Sequence, residues 1–549
     1  MNKSKVNIYV LFLVLLFSCN KKEYFVEPGT MTIYREMTQS WVRNFNPLAP
    51  GANARWPTSS GIYEPLFIYN SMQNENLPWL GVSYEWKKEN RILDVSTRND
   101  VFWSDGKPFS AYDVEFTFNL KKIFPALDGY GNWQYLESVQ AIDSTKVRFS
   151  FSRIYVPGFD AISSQPIVPK HIWEKIPNPI EFTNPNPVGT GPFTEIITFK
   201  NQIWELGKNH NYWQKDLPKI DKLRFPAFLS NEQVTIALIN GELDWSGNFT
   251  PAIDRIYVGK DPENHHYWFP QTGTSIFLYL NTTIKPFDNV EFRKAISMAI
   301  DRDLIVKVAM YNYTSQAHQT GLSGVFENFR LSDDKINENW INYNPKKSLE
   351  IFKNLGFEKN SDGYWIDQND QVVEVEIGIV SGWSDWIRAG KIISTNLKKV
   401  GIKSRVKPQD FGAWFNNLQT GNFSSAIGWT EKGATPYPMY EALMASKNVK
   451  SIGEISGINW HRFGLKEIDE LVLKFEKTSN KETKMEILYQ MQELFIKYAP
   501  AIPIFADPSW GIYNTKRFKN FPNEKNPYAQ ISPNAGIENL LIFTNVESK

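Results

Sequence analysis

The chain has 549 residues, of which 42% are apolar and 22% charged, with 60 Lys and Arg against 59 Asp and Glu. That length predicts about two to four domains rather than one core, and the charge balance argues against nucleic acid as a partner, because phosphate binding needs a basic excess on one face. A single cysteine excludes an internal disulfide framework and cysteine-cluster zinc or iron–sulfur sites.

Lys3 and Lys5 precede an unbroken apolar stretch from Tyr9 to Phe17. A membrane-spanning helix needs about 20 residues, so this shorter stretch suits the core of a signal peptide over residues 1–18. The lone cysteine, Cys19, follows Ser18 and precedes the polar Asn20, Lys21 and Lys22. The Leu-x-Ser-Cys ending resembles a bacterial lipobox, although Phe17 is bulkier than the residue usual at its position. It implies that Cys19 is lipidated and that residues 19–30 form a membrane-anchored linker. A plain secretory signal with an incidental cysteine is the alternative. Loss of residues 1–18 removes two lysines and no acid, which turns the balance slightly acidic. No later stretch has 18 consecutive apolar residues. The expected body is therefore soluble and exported, in the periplasm or at the cell surface.

Along the chain, strand-like and helix-like segments alternate. "RILDVSTRND" sets Leu93, Val95 and Thr97 against Ile92, Asp94 and Ser96, the two-residue period of a strand. Ser110 with Asp113 three residues on predicts a capped helix, with Val114, Phe118 and Ile123 facing the core. The prolines and glycines of "KIPNPIEFTNPNPVGTGPF" (175–193) predict a crossing between domains. Its "PVGTGPF" superficially resembles a phosphate loop, but Pro192 follows Gly191 and no Lys-Ser/Thr comes after, so a tight turn is expected.

Further on, Phe292, Ile296 and Ala299 share a helical face, and Asp301 is expected to cap a continuation carrying Leu304, Ile305 and Val308. Asn344 as cap, Pro345 at the first position and Gly356 as terminator frame a helix with Leu349, Phe352 and Leu355 as its buried stripe. Trp386, Ile393, Leu397 and Val400 line another, closed by Gly401 and followed by a strand with Ile402 and Val406 on one face. The strand–helix–strand rhythm from about 372 to 407 predicts an α/β crossover. "KETKMEILYQMQELFIKYAP" is a last long helix, stopped before Pro500.

Little points to catalysis. The histidines are His171, His210, His265, His266, His318 and His461, and none forms His-Glu-x-x-His. Adjacent His265 and His266 on a strand point to opposite faces, so no metal site is expected there. No Gly-x-Ser-x-Gly elbow occurs. Paired carboxylates for glycoside hydrolysis are left open, because their separation is invisible in sequence. The expectation is a non-enzyme with no catalytic residues, no metal and no cofactor. The conspicuous feature is aromatic content: Trp 19, Tyr 24 and Phe 37. Most of these belong in cores. Trp56 in "NARWPTSSG", Trp245 in "GELDWSGNF", Trp383 and Trp386 in "SGWSDWIR" and Trp429 in "AIGWTEKGATPYPMY" instead sit in polar, turn-like contexts. A tryptophan offers a flat apolar face and one N–H donor, which suits sugar rings or apolar side chains in a preformed pocket.

Five stretches in this order resemble extracellular solute-binding protein family 5, the ABC-importer class that includes the dipeptide- and oligopeptide-binding proteins. They are "VFWSDGKPFSAYDVEFTF", "NPVGTGPF" followed by "WELGKNHNYW", "FRKAISMAIDRDLI", "YNPKKSLEIFKNLGF" and "NLKKVGIK". The likeness covers most of the chain from about residue 60 to 505. It implies an α/β, two-lobed periplasmic-binding-protein fold of type II, in the large class with an extra domain inserted in the first lobe. Lobe I would comprise 31–62, 188–275 and 505–549, the inserted domain 63–187, and lobe II 276–504. The implied partners are a small ligand held between the lobes, ABC permease subunits and, through the lipid anchor, the membrane. The protein is expected to be a monomer.

Peptide-binding members place an Asp, often Asp-Pro, shortly after a Gly-Trp to hold the peptide ammonium. Here Gly428-Trp429 is followed by Thr435-Pro436, and Glu431, the possible substitute, stands beside Lys432. An ammonium buried without a carboxylate costs several kcal/mol, so the departure favours a neutral ligand. "RFPAFLSNEQVTIALINGELDWSGNF" and "GWTEKGATPYPMYEALM" are moreover similar to members that bind β-linked oligosaccharides such as cello-oligosaccharides. The ligand-binding residues expected on that basis are Trp56, Trp245, Asn248, Trp383 and Trp429. Oligopeptide binding is the alternative. A secreted glycoside hydrolase is less favoured, as is a surface chaperone or adhesin.

Overall fold

Two β-sheets organise the computed structural model, which describes residues 27–49 and 61–549. The expected signal peptide, Cys19 and Trp56 lie outside the described residues. The first sheet has seven strands, in the order His265–Trp268, Gly511–Asn514, Trp245–Ser246, Thr30–Tyr34, Lys222–Pro226, Ile203–Lys208 and Phe193–Lys200. Thr30–Tyr34 runs parallel to both of its neighbours, and all five of its residues are buried, as suits a parallel strand covered on both faces. The helix Asn231–Ile239 connects Lys222–Pro226 to Trp245–Ser246, with the Ser230 side chain accepting from the Gln233 N–H as its cap.

The second sheet has five strands, in the order Lys403–Gln409, Glu374–Val380, Ser425–Gly428, Gln271–Leu280 and Ile502–Pro508. Glu374–Val380 and Lys403–Gln409 pair in parallel through the helix Ser384–Lys399, which is the expected α/β crossover. Trp386, Ile393, Leu397 and Val400 are buried against this sheet, and Gly401 leaves the helix at φ +88. The edge strand carries Lys403, Arg405 and Lys407 in a ladder with Glu374 and Glu376. Such a charged edge deters pairing with another chain.

Two connections join the sheets. His265–Trp268 passes through Phe269 and Pro270 into Gln271–Leu280, and Ile502–Pro508 passes through Ser509 and Trp510 into Gly511–Asn514. The Ser509 N–H donates to the Pro270 carbonyl at 2.8 Å, so the two connections touch. The expected lobe boundaries at 275/276 and 504/505 therefore fall inside strands of the second sheet. The chain passes between the two sheets at 269–270 and 509–510, past the ends of both strands.

The expected inserted segment contains a four-stranded antiparallel sheet of Gly81–Lys87, Ile92–Thr97, Lys146–Phe151 and Leu136–Asp143. Leu93, Val95 and Thr97 are buried, as their alternation predicts, and Asp94 is also buried, bonded to Arg148 at 2.7 Å and Lys87 at 2.9 Å. Leu93 and Val95 belong to the same continuous apolar cluster as Met31 and Ile33 of the first sheet. The segment thus shares a core with the first sheet. The chain returns through Gly189 and Gly191, where an added Cβ would meet the Ile62 and Gly61 carbonyl oxygens at 1.9 and 2.1 Å. That backbone approach is what "PVGTGPF" is built for.

Ser110 and Asp113 form a capping box on the helix Ala111–Ile123, with Val114 and Phe118 buried. Ile123 is 69% exposed, against expectation. At about 100° per residue it lies on the face opposite Val114. Asp301 caps Leu304 at 2.9 Å, but the chain then widens into a π-helical turn over Ile305–Ala309. That change of pitch buries Ile305 and leaves Leu304 and Val308 exposed. Asn344 caps Pro345–Asn354 through the Lys347 N–H, and Phe352 is its buried anchor, with Leu349 and Leu355 only partly covered.

Candidate ligand-binding cleft

Several strands end around one cavity of ≈ 620 Å³. Arg35 and Glu36 follow Thr30–Tyr34, and Asn248 and Phe249 follow Trp245–Ser246. From the second sheet come Trp383 after Glu374–Val380, Phe411 after Lys403–Gln409, and Trp429 and Lys432 after Ser425–Gly428. These last three strands are mutually parallel, and the region beyond their carboxyl ends is where open α/β sheets place ligands.

The second-sheet wall is aromatic. Trp383 and Trp386 meet edge to face at 4.8 Å, and Trp414 lies 5.1 Å from Trp429. Phe411 is stacked parallel to Trp429 at 6.4 Å with 10° between the planes. Trp383 and Trp429 are only partly buried, and both line the cavity. Also at the cavity, the buried Phe249 meets Trp510 at 5.4 Å, and Trp510 meets Phe269 at 4.8 Å. Trp510 is therefore both a wall of the cavity and a residue of one inter-sheet connection.

Three polar groups shape the cavity. Asn248 accepts from the Ser246 hydroxyl at 2.6 Å and donates to the Phe249 carbonyl and the Thr250 hydroxyl, each at 3.0 Å. Both of its amide hydrogens are engaged within the chain, so it fixes the loop that presents Phe249. Asp385 is buried at the start of Ser384–Lys399 and accepts from the Asn231 amide at 3.4 Å. Burial pushes its carboxyl up to about 6, against backbone N–H donors and Arg388 that pull it down. The Asn231 N–H also donates to the Gly382 carbonyl, so the two sides of the cleft touch here. Asp507 is paired with Lys432 at 2.5 Å and accepts from the Thr272 hydroxyl at 3.3 Å.

A second cavity of ≈ 640 Å³ adjoins the first, and Thr272, Lys432, Gln530, Ala535 and Gly536 line both. Its lining includes Tyr69, Tyr130 and Gln165 of the expected inserted segment. On that side Arg153 donates to Glu476 at 2.5 Å, and the Val156 N–H donates to the Glu476 carbonyl.

Of the sequence-predicted site residues, Asn248, Trp383 and Trp429 come together at this cavity. Trp245 does not: it is fully buried, donates from Nε1 to the Ile531 carbonyl at 2.7 Å and packs on Phe521 and Phe543. Its strand lies inside the seven-stranded sheet, which hands its ring to the core. Glu431, the possible ammonium partner, is not among the residues lining the cavity, and burial followed by Glu441 raises its carboxyl. Asp385, Phe411, Asp507 and Trp510 were not singled out by sequence. For Trp510 the signal available was its polar setting in "ADPSWGIY".

His265 is buried on the Tyr257 ring at 4.0 Å, and the His266 Nε2 contacts the Glu263 carbonyl at 3.0 Å. Among the described residues there is no cluster of His, Cys, Asp and Glu able to hold a metal. No described helix is long and apolar enough to cross a membrane.

The family model described as bacterial extracellular solute-binding proteins, family 5 middle, matches residues 76–451. The nickel-binding periplasmic protein of Escherichia coli is 21% identical over 83% of this chain and 87% of its own length. The glutathione-binding protein GsiB of Shigella flexneri is 23% identical over 82% of this chain and 84% of its own. Among solved structures, a mannohexaose-bound periplasmic oligopeptide-binding protein from Thermotoga maritima superposes with a TM-score of 0.86 at 26% identity, covering 96% of this chain and 99% of its own.

Proposed function

The chain belongs to family 5 of the bacterial extracellular solute-binding proteins, the substrate-binding components of ABC importers, and we propose that its ligand is a neutral oligosaccharide, β-linked as in cello-oligosaccharides. The observation that carries this reading is the pair of partly exposed rings, Trp383 and Trp429, which line one cavity together with the partly exposed Trp510. Flat aromatic faces suit pyranose rings, which are apolar above and below and polar at the rim. The mannohexaose held by the Thermotoga maritima relative supports an oligosaccharide. The ligand closes the two lobes about the connections at 269–270 and 509–510, and a membrane permease then receives it. The mature protein is a monomer tethered through lipidated Cys19.

Oligopeptide binding is the second reading. The same Thermotoga maritima protein is named as oligopeptide-binding and the Shigella flexneri relative as glutathione-binding.

A thermal-shift panel of cello-, xylo- and manno-oligosaccharides against tri- to pentapeptides separates the two. A ligand at 100 times its dissociation constant adds about 2.7 kcal/mol of stability, a shift readily seen on melting. Shifts with peptides alone would overturn the oligosaccharide reading. Metabolic lipid labelling of the wild type and of Cys19→Ala tests the anchor, and equal labelling of both would remove it.

A further inference from the structure

We propose that Lys432 sets the charge selectivity of the cleft: by occupying Asp507 it denies that carboxylate to ligands bearing an ammonium group. The proposal deepens the neutral-ligand reading above and rests on it.

The two residues come from different strands. Lys432 lies in the loop after Ser425–Gly428, and Asp507 lies near the end of Ile502–Pro508. Gln271–Leu280 runs between them in the sheet. The lysine side chain reaches past the end of that middle strand to bring Nζ within 2.5 Å of Asp507 Oδ2. The Thr272 hydroxyl of the middle strand donates to the same oxygen at 3.3 Å. The side chain of Asp507 is 14% exposed and that of Lys432 40%. The carboxylate thus faces the cavity from a sheltered position while its partner is a flexible arm. Both line the aromatic cavity, and Lys432 also lines the second one, so a ligand spanning the two passes this pair.

A sheltered carboxylate with an open face is a strong site for a cation. With Lys432 on it, the pair presents no net charge, and the lysine repels an approaching ammonium. The other charged groups lining the aromatic cavity are Arg35, Glu36 and Asp385. Arg35 and Glu36 are engaged in contacts of their own, and Asp385 holds Asn231. Removing the Lys432 ammonium therefore releases the Asp507 carboxylate while leaving the aromatic wall in place.

The test uses ligand pairs that share a scaffold and differ in ammonium charge, by up to four charges in the sugar pair and by one in the peptide pair. Cellotetraose and the β-1,4 glucosamine tetramer share a backbone and differ by hydroxyl against ammonium at C2. Trialanine and N-acetyl-trialanine form the corresponding peptide pair. The quantity read is the ratio of dissociation constants within a pair, measured by titration calorimetry on the full chain. In Lys432→Met the ratio is expected to move towards the amine-bearing ligand by about tenfold or more, the scale of a close charge pair. In Lys432→Met/Asp507→Asn it returns near the wild-type value. Lys432→Gln replaces the methionine variant if melting shows the latter misfolded. An unchanged ratio in the single variant would overturn the proposal, as would an equal shift in single and double variants, since the lysine would then act without Asp507. If only the peptide pair binds, the oligosaccharide reading fails while the ratio still decides the role of Lys432.

Discussion

Arg153, just after the strand Lys146–Phe151, donates to Glu476, in the last turn of the helix Lys466–Lys477, across 2.5 Å. This contact joins the two sides of the cleft far from the connections at 269–270 and 509–510. Glu476 is buried and also receives the Tyr437 hydroxyl at 3.3 Å and Lys447 Nζ at 3.2 Å, both from its own side. When the lobes part, the carboxylate keeps these two partners and only Arg153 goes into solvent. Opening therefore leaves no buried charge unpaired, which is the requirement for a latch that must release.

The first prediction follows. Arg153 is 41% exposed in its side chain, so solvent screens the pair and its worth is about 0.2–1 kcal/mol. Arg153→Met is expected to speed ligand dissociation by up to about fivefold, with little change in association. Glu476→Leu instead leaves the buried Tyr437 hydroxyl without its acceptor, while Lys447 keeps Glu441 at 2.6 Å, and is expected to destabilise the fold by about 1–3 kcal/mol. Stopped-flow release and thermal melting measure the two effects separately. An Arg153→Met protein that releases ligand at the wild-type rate would show that the pair does not hold the lobes together.

Asp385 gives a second prediction, on pH. Burial raises its carboxyl to about 6 in the free protein. The sign for stability is that of an acid hindered from ionising: its contribution is fullest below the unfolded carboxyl value and is lost as pH rises to 6. A ligand hydroxyl donating to the ionised carboxylate has the opposite dependence. Affinity is expected to weaken as pH falls through 6, by up to about tenfold per unit for one coupled proton. Asp385→Asn removes the dependence. Titration calorimetry in buffers of different ionisation enthalpy checks this, because binding near pH 6 then releases a proton. A wild-type pH profile as flat as that of Asp385→Asn would exclude Asp385 from ligand contact.

What the sequence revealed was governed by distance along the chain. Ser110 with Asp113, Asn344 with Pro345, and Asp301 with Leu304 act within one helical turn, and each appears where spacing places it. The crossover from Glu374–Val380 to Lys403–Gln409 is likewise contiguous and legible. Trp245 and Trp429 show where this ends. Both sit in turn-like contexts and precede polar residues, yet one is enclosed by Phe521, Phe543 and Ile531 and the other faces a cavity. What separates them is which strands flank them and what packs on that face, and no local pattern encodes it. Glu64 makes the same point in the core. It is fully buried, and Trp79, Tyr212 and Trp213 from distant segments donate to it. Nothing around Glu64 in sequence signals a carboxylate so enclosed.

The third prediction uses that contrast to test the site itself. Trp429 contributes a partly exposed ring that is stacked on Phe411 and edge-on to Trp460 at 5.5 Å. Trp429→Leu keeps apolar volume in the wall but removes the flat face, so the loss falls on the ligand. A central aromatic anchor is worth about 2 kcal/mol or more, roughly thirtyfold in dissociation constant. Trp245→Phe has the reverse profile. It removes the donor to the Ile531 carbonyl and leaves that buried oxygen unpaired, a cost of about 1–3 kcal/mol on folding. Ligand affinity is expected to stay near wild type there, because the ring never reaches the cavity. Melting temperature and dissociation constant measured on both variants give two numbers that must move in opposite columns. Unchanged affinity in Trp429→Leu would remove Trp429 from the site, and weakened affinity with unaltered melting in Trp245→Phe would return Trp245 to it.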